Sequence, residues 1–572
     1  MRRLTARILA ALALLAAAAP AIAQSACPSE GADYREFYLE DKLFAEAIAK
    51  AEAIKPAAAL TGMTVPHHLL AAHLIAAGVK LASGGGYDRI VILLPDHFKQ
   101  ARRPFATTTH GFETLYGRVA TDAAAARNLA TATEKVELSC LFGRDHGILA
   151  LLPFVRHYLP NIPVLPVAIS IHSTRADWEE LVAALSPLVN ERTLILQSTD
   201  FSHYLPHHEA RLRDQQTLNV LAADDLDALA GLAQPDHMDS VGAMYVHAAL
   251  QARLNGARPI VLASENSQQY VEKFVAETTS YMVVAFSPRP PNAGLPGMPG
   301  TRRYLLAGDT FFGRAMTAAL LDEDAAERVE AAVLEATGGA PLIVNLEGVL
   351  LPDVPDAIEH MVLAMPRELA LSWLKLLNVR AVGLANNHAM DIGPSGMAET
   401  TAALDEAGIA WFGQGDALEL PGLALVGLSD HGTNASQKTR LLDAALLDRL
   451  VRDRAEIPVV AFVHWGREYV PEPSLRETEL AEEMRRRGVA AIVGAHSHRA
   501  SAGVAQLGGG DAAMIYSLGN FLFDQGADKA SGALAEITVF DQGALFVRQV
   551  RLPNLFDLAR GVQQDEPKPG ER

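Results

Sequence analysis

Short apolar runs alternate with amphipathic stretches along most of the chain. In the first half the runs at 89–94, 164–170, 193–197 and 279–286 have the length and β-branched content of buried strands. In the second half the same signal recurs at 304–307, 341–344, 381–385, 459–463 and 490–493. Stretches at 68–81, 178–189, 368–377, 397–407 and 476–487 instead place apolar residues at helical spacing. Strands alternating with helices predict α/β layering in both halves. Between the halves, Pro288, Pro290, Pro291, Pro296 and Pro299 mix with Gly294, Gly297 and Gly300, a composition that marks a flexible linker. The expected plan is a domain over 50–288, a linker over 289–301, a second domain over 302–553 and a loose polar tail over 557–572. The halves share no repeat.

Chemistry enters where the second-half strands stop. Polar clusters follow the apolar runs: Gly308-Asp309, Asn345-Leu346-Glu347, Asn386-Asn387-His388 with Asp391, His464-Trp465-Gly466, His496-Ser497-His498 and Ser517-Leu518-Gly519-Asn520-Phe521. A strand ending in a carboxylate, amide or imidazole delivers it to the carboxyl edge of a sheet, where α/β proteins place their sites. This mixture suits Zn, Mn or Fe better than Ca. Taken alone, Asp309 or Asn387 reads as well as a cap of the following turn. Trp465 and Phe521 read as wall or core.

The ordered series, above all Leu384-Ala385-Asn386-Asn387-His388-Ala389-Met390-Asp391-Ile392-Gly393 and Tyr516-Ser517-Leu518-Gly519-Asn520-Phe521, resembles the CapA family of bacterial capsule proteins, which is related to the calcineurin-like metallophosphoesterases. The resemblance covers about 302–550 and implies a layered-sheet domain holding two divalent metals. It implies that Asp309 ligates the first metal and Glu347 bridges both. Asn387, His464 and His496 would hold the second metal, and His498 would close the first. His388 becomes the general acid or transition-state donor, oriented by Asp391. Phe311 stands where the ordinary phosphoesterase has a His, and Glu347 replaces its bridging Asp, which leaves single-metal occupancy open. The family's association is with poly-γ-glutamate capsule synthesis or export.

The first half carries Val65-Pro66-His67, Leu94-Pro95-Asp96-His97, Asp145-His146 and Ser198-Thr199-Asp200-Phe201-Ser202-His203-Tyr204, a pattern that resembles the Memo family, including AmmeMemoRadiSam system protein B. The resemblance spans about 55–288 and implies a fold like the class III extradiol dioxygenases, with two His and a Cys holding one metal. His67 and His97 match the two His. The Cys is absent, the matching stretch being Asp239-Ser240-Val241-Gly242-Ala243, so Asp239 is the expected replacement. His146 and His203 are expected as acid/base groups near the metal. His207, His208, His237 and His247 read as surface or packing residues. A metal-free binding pocket is the competing reading of this half.

Composition narrows partners more than chemistry. At 572 residues the chain exceeds one core, and its formal charge of -18 argues against a nucleic-acid backbone as partner. Arg2, Arg3 and Arg7 precede an apolar stretch and the small residues Ala21-Ile22-Ala23, the layout of a secretory signal peptide over 1–23. A retained anchor and lipidation at Cys27 are the alternatives. Export to the periplasm or cell exterior is expected, with no stable membrane span after cleavage. The two cysteines, Cys27 and Cys140, permit one disulfide in that compartment. The expected function is an exported metal-dependent hydrolase acting on an envelope polymer or a small anionic substrate. A polymer-binding or assembly factor without turnover is the first alternative, and an Fe-dependent oxygenase in the first half the second.

Overall fold

The structure is a computed structural model that describes residues 27–562, apart from 30, 59, 289–297, 356, 357, 360, 433–443, 453, 455 and 456. The signal-peptide segment and most of the expected linker lie outside the described residues.

The first half is a three-layer α/β/α unit. Its nine-stranded sheet runs Val136–Leu138, Phe105–Thr107, Val164–Ile169, Arg89–Pro95, Thr193–Ser198, Gly62–Val65, Thr278–Ser287 and His203–Leu205, with Arg258–Asn266 pairing Thr278–Ser287. The central four strands, Val164–Ile169 to Gly62–Val65, are parallel and buried on both faces, which explains their unbroken apolar runs. Helices Asp41–Lys50 and Ala72–Ala82 cover one face. Helices Arg175–Leu185 and Val241–Leu250 cover the other. The domain starts before the expected residue 50, because Tyr34 and Phe44 are buried in its first core.

The second half stacks two six-stranded sheets face to face. One runs Ala410–Phe412, Val379–Gly383, Leu342–Leu346, Thr301–Thr310, Gly532–Phe540 and Leu545–Leu552. The other runs Ala417–Leu420, Leu423–Ser429, Val459–His464, Val489–Ala495, Ala512–Ile515 and Ala505–Leu507. Leu306, Ile343, Leu425, Val460, Phe462 and Ile537 fill the space between them. Helices Glu323–Thr337, Arg367–Leu376 and Gly393–Ala407 cover the outer face of the first sheet. Helices Ala444–Arg452 and Leu475–Arg486 cover that of the second. The layering is therefore helix, sheet, sheet, helix. The first residues of the expected tail are structured: the helix Leu555–Ala559 runs into it, and Ala559 is buried in the outer core with Leu555 and Phe556.

Described residues of the two halves pack against each other. Phe540, Ala544 and Phe546 of the second half are buried in the second core of the first half. Burying each Phe contributes about 1.5–3 kcal/mol. The helix His207–Ala223 lies along the strand Leu545–Leu552. There the Gln215 amide extends the sheet edge, its Nε2 donating to the Leu545 carbonyl at 2.9 Å and its Oε1 accepting from the Leu545 N–H at 3.0 Å. Asn219 Nδ2 donates to the Gly510 carbonyl at 2.6 Å, and Gln542 Nε2 to Ser264 Oγ at 2.5 Å. The halves are thus docked through these contacts. Cleaving an engineered protease site within 289–297 should leave two fragments that co-elute on size exclusion, whereas Phe540→Asp with Phe546→Asp should separate them. Separation of the unsubstituted fragments would contradict the interface.

Candidate metal centres

In the second half the parallel strands of both sheets point their carboxyl ends at one place. Asp309 comes from Thr301–Thr310, where a register shift between Ala307 and Asp309 turns its side chain inward. Gly308 is required there: a Cβ would sit 1.9 Å from the Gly519 carbonyl oxygen. Glu347 follows Leu342–Leu346, Asn387 and His388 follow Val379–Gly383, and His464 ends Val459–His464. His496 and His498 follow Val489–Ala495 with φ of 91° and 56°, a left-handed backbone rare for a side chain of this size. The His496 N–H, at 3.1 Å from Asp309 Oδ2, ties that turn to the first strand.

Two sets of donor atoms result. Asp309, Glu347 and His498 form one, and Glu347, His464 and His496 the other, with the ligand atoms of each within 4.8 Å of one another. Glu347 belongs to both. His498 Nδ1 lies 3.2 Å from Asp309 Oδ2, and His464 Nε2 lies 3.6 Å from Glu347 Oε1, 2.6 Å from Asn387 Oδ1 and 3.0 Å from His496 Nδ1. Asn345 Nδ2 donates to Asp309 Oδ1 at 2.8 Å, and Asn520 Oδ1 sits 2.8 Å from His498 Nδ1. His388 stands to the side, with Nδ1 2.6 Å from Asp391 Oδ2 and Nε2 3.9 Å from Glu347 Oε1. Asp391 also accepts the Leu363 N–H at 2.8 Å, so the ring is held with Nε2 toward the cluster.

The electrostatics call for positive charge. Burial and then the Asp309 charge push the Glu347 carboxyl up to about 8. Burial opposes protonation of His498, but the Asp309 hydrogen bond and the Glu347 charge outweigh it and raise it to about 9. Burial, then the neighbouring imidazoles His496 and His431, hold His464 well below its usual range. Among the described residues Glu347 Oε2 is buried without a hydrogen-bond partner. Carboxylate, amide and imidazole donors converging on such an atom fit divalent Zn, Mn or Fe.

The first half assembles a second cluster at the carboxyl ends of Gly62–Val65, Arg89–Pro95 and Thr193–Ser198. His67, His97 and His146 offer ring nitrogens within 4.8 Å of one another. His67 Nε2 and His97 Nε2 face each other at 3.1 Å, and Asp239 Oδ2 lies 3.2 Å from the first and 3.7 Å from the second. Asp145 orients His97 through Nδ1 at 2.7 Å and caps the helix His146–Leu149. Burial lowers His97, but Asp145 and Asp239 outweigh it and raise it to about 10, while burial and then the His97 charge drive His146 down to about 3. The Asp239 Oδ1 atom is buried without a partner among the described residues, which again fits a cation. His146 thus stands among the ligand candidates. His203 lies outside that imidazole set, its Nδ1 3.3 Å from Thr279 Oγ1 on the strand Thr278–Ser287 and its Nε2 buried without a partner among the described residues. Asp200 Oδ2 lies 3.7 Å from His67 Nε2.

Several neighbours escape sequence reasoning. Asn345 and Asn520 stand inside recognisable clusters, but their role as supports depends on cross-strand geometry. His431 follows the strand Leu423–Ser429, a run not singled out in the sequence, and its ring lies 4.2 Å from that of His496. Trp465 and Phe521 are core, as expected. So is Phe311, which offers no donor.

Fold and sites together define an α/β protein of two docked domains, each with a metal-competent cluster at the carboxyl ends of parallel strands. Residues 37–283 match the family described as Memo-like protein, and residues 303–426 and 427–525 match the family described as bacterial capsule synthesis protein PGA_cap, so the first half is similar to the one family and the second half to the other. The capsule biosynthesis protein CapA of Bacillus anthracis is 30% identical over 228 residues, 36% of this chain and 53% of that protein. The PGA biosynthesis protein CapA of Bacillus subtilis (strain 168) is 31% identical over 174 residues, covering 27% and 45%. The MEMO1 family protein PAE0818 of Pyrobaculum aerophilum is 26% identical over 150 residues, covering 25% and 53%. The chain spans about half the length of these relatives.

With the second-half cluster disabled by Asp309→Ala and His464→Ala, the full chain should still take up a divalent metal. Adding Asp239→Ala should then weaken uptake by about 10–100-fold, while adding His203→Ala should change it little. Equilibrium dialysis with Fe(II) or Mn(II) measures both, and equal losses from the two variants would contradict the assigned geometry.

Proposed function

We propose that this is an exported, metal-dependent hydrolase of the cell envelope, acting in capsule or poly-γ-glutamate type polymer metabolism, with its chemistry in the CapA-like half. The observation that carries the reading is Glu347, buried and common to both donor sets, with the His388–Asp391 pair beside it. Asp309, Glu347 and His498 would hold one divalent cation, and Glu347, Asn387, His464 and His496 the other. When bound, such a pair activates water and stabilises charge on attacking and leaving oxygens.

The chain's own residues do the rest. Asp391 accepts from His388 Nδ1, so Nε2 is the titrating nitrogen, bare in the neutral ring and protonated in the imidazolium, and it is the imidazolium that donates from Nε2 to the leaving group. Burial disfavours the imidazolium, yet the Asp391 hydrogen bond and the Glu347 charge outweigh it and hold His388 above its usual range, which favours the donor form. Asn345 and the His496 N–H hold Asp309 with its oxygens toward the cluster. The burial of Asp309, Glu347 and His464 keeps bulk water from competing for those groups.

Two features support export. The Cys27–Cys140 disulfide, with Cα atoms 5.3 Å apart, belongs to an oxidising compartment. The leading segment has the signal-peptide layout, and among the described residues no helix is long and apolar enough to cross a membrane. The Memo-like half would add a mononuclear site on His67, His97, His146 and Asp239, fixed relative to the hydrolase centre. The second reading is a metal-containing polymer-binding factor without turnover. It is favoured by Phe311, which leaves three residues in the first donor set.

His388→Gln should lower turnover of a responsive phosphoester or γ-glutamyl amide by about 10²–10⁴-fold with metal content unchanged. Steady-state kinetics beside elemental analysis checks this. Undiminished turnover in that variant would remove His388 from the mechanism, and no hydrolysis by the fully metallated wild type would leave the binding reading.

A further inference from the structure

Beside His498 the chain spends backbone strain on a cation. Arg314 adopts φ 53° and ψ -130°, a conformation tolerated mainly by glycine. Its guanidinium carbon lies 5.0 Å from the centre of the Phe311 ring and 5.6 Å from that of Phe523, and its Nη2 donates to Asp524 Oδ1 at 2.6 Å. Phe523 in turn packs on His498, ring centres 4.8 Å apart. Tyr469, with φ 65°, closes the same corner: its ring is 5.8 Å from that of His498, and Gln525 Nε2 donates to its hydroxyl at 3.2 Å. The Gln525 Oε1 accepts from Asn520, which holds His498. Arg314 side-chain exposure is 24% and Tyr469 is 42% exposed, so this corner opens to solvent while the donor sets behind it do not.

A structural tie to Asp524 alone would not need an arginine in a glycine conformation, nor a guanidinium packed against a pair of touching rings, Phe311 and Phe523, at the lip of a site. We propose that Arg314, backed by Tyr469, is the anion-binding edge of the CapA-like site, receiving a carboxylate or phosphate of the substrate beside His498. A guanidinium pre-oriented by an ion pair and by aromatic packing holds a fixed positive charge toward either group. The inference rests on the hydrolase reading of this site and assigns the substrate an anionic group next to the bond that is cut.

The test is calorimetric titration of the full, Mn-loaded chain with inorganic phosphate and with glutarate, with metal content and melting temperature recorded for every variant. Arg314→Gln should weaken the preferred anion by about tenfold or more at unchanged metal content, and Arg314→Lys should recover part of that loss. Asp524→Asn should leave the affinity unchanged or tighten it, since it removes a competing carboxylate. Preference for phosphate or for glutarate identifies which anion the edge serves. Equal weakening by Asp524→Asn and Arg314→Gln would make the arginine a structural tie and overturn the proposal. Wild-type affinity in Arg314→Gln, or no binding of either probe, would do the same. If Arg314→Gln does not fold, Arg314→Lys against Asp524→Asn decides it: a loss confined to the former supports the edge. Anion binding that depends on Arg314 in a chain that takes up no metal even on reconstitution would sink the hydrolase reading and leave only the anion-binding edge standing.

Discussion

Two carboxylates, Asp309 and Glu347, lie out of water in one cluster, and the cost of keeping them there shapes the second domain. At 0% and 1% exposure neither is stabilised by solvent, and each raises the energy of the other's charge. The surrounding architecture supplies what water would have. Asn345, the His496 backbone and His498 satisfy Asp309, and His464, His496 and Asn387 converge on the side of Glu347. One oxygen of Glu347 remains without a partner among the described residues. A cation is the group whose chemistry completes that arrangement. The left-handed turns at His496 and His498 and the Gly308–Gly519 approach are strained or restrictive features that persist because they aim these groups.

The first domain meets the same constraint with different residues. His67, His97 and His146 converge on Asp239, and Asp145 and Ser198 orient the rings from behind. Buried carboxylates and imidazoles again stand at the ends of parallel strands, because there the chain can deliver side chains from several strands to one point. Docking through Phe540, Ala544 and Phe546 then makes the two sites parts of one body rather than passengers on a linker.

Much of this was legible in the sequence, and the reasons are local. Strands buried on both faces read as apolar runs, so 89–94 and 459–463 foretold Arg89–Pro95 and Val459–His464 within a residue or two. Polar residues directly after such runs marked the clusters, because position in a parallel strand determines which edge a side chain reaches. What depends on tertiary contact was hidden. Arg314 and Tyr469 become site neighbours only through Phe523 and Gln525, which are distant in sequence. The docking of the halves follows from Phe540 and Phe546, which by pattern belong to the second half alone. Leu555–Ala559 and Asp41–Lys50 are short helices with little periodicity to read, yet both pack.

The sharing of Glu347 between two donor sets is the central claim, and electron paramagnetic resonance of the Mn(II)-reconstituted full chain tests it most directly. A pair held across one carboxylate gives an exchange-coupled signal, and Glu347→Ala should abolish that coupling while isolated Mn(II) signals remain. Only isolated Mn(II) signals in the wild type at saturating metal would contradict the account.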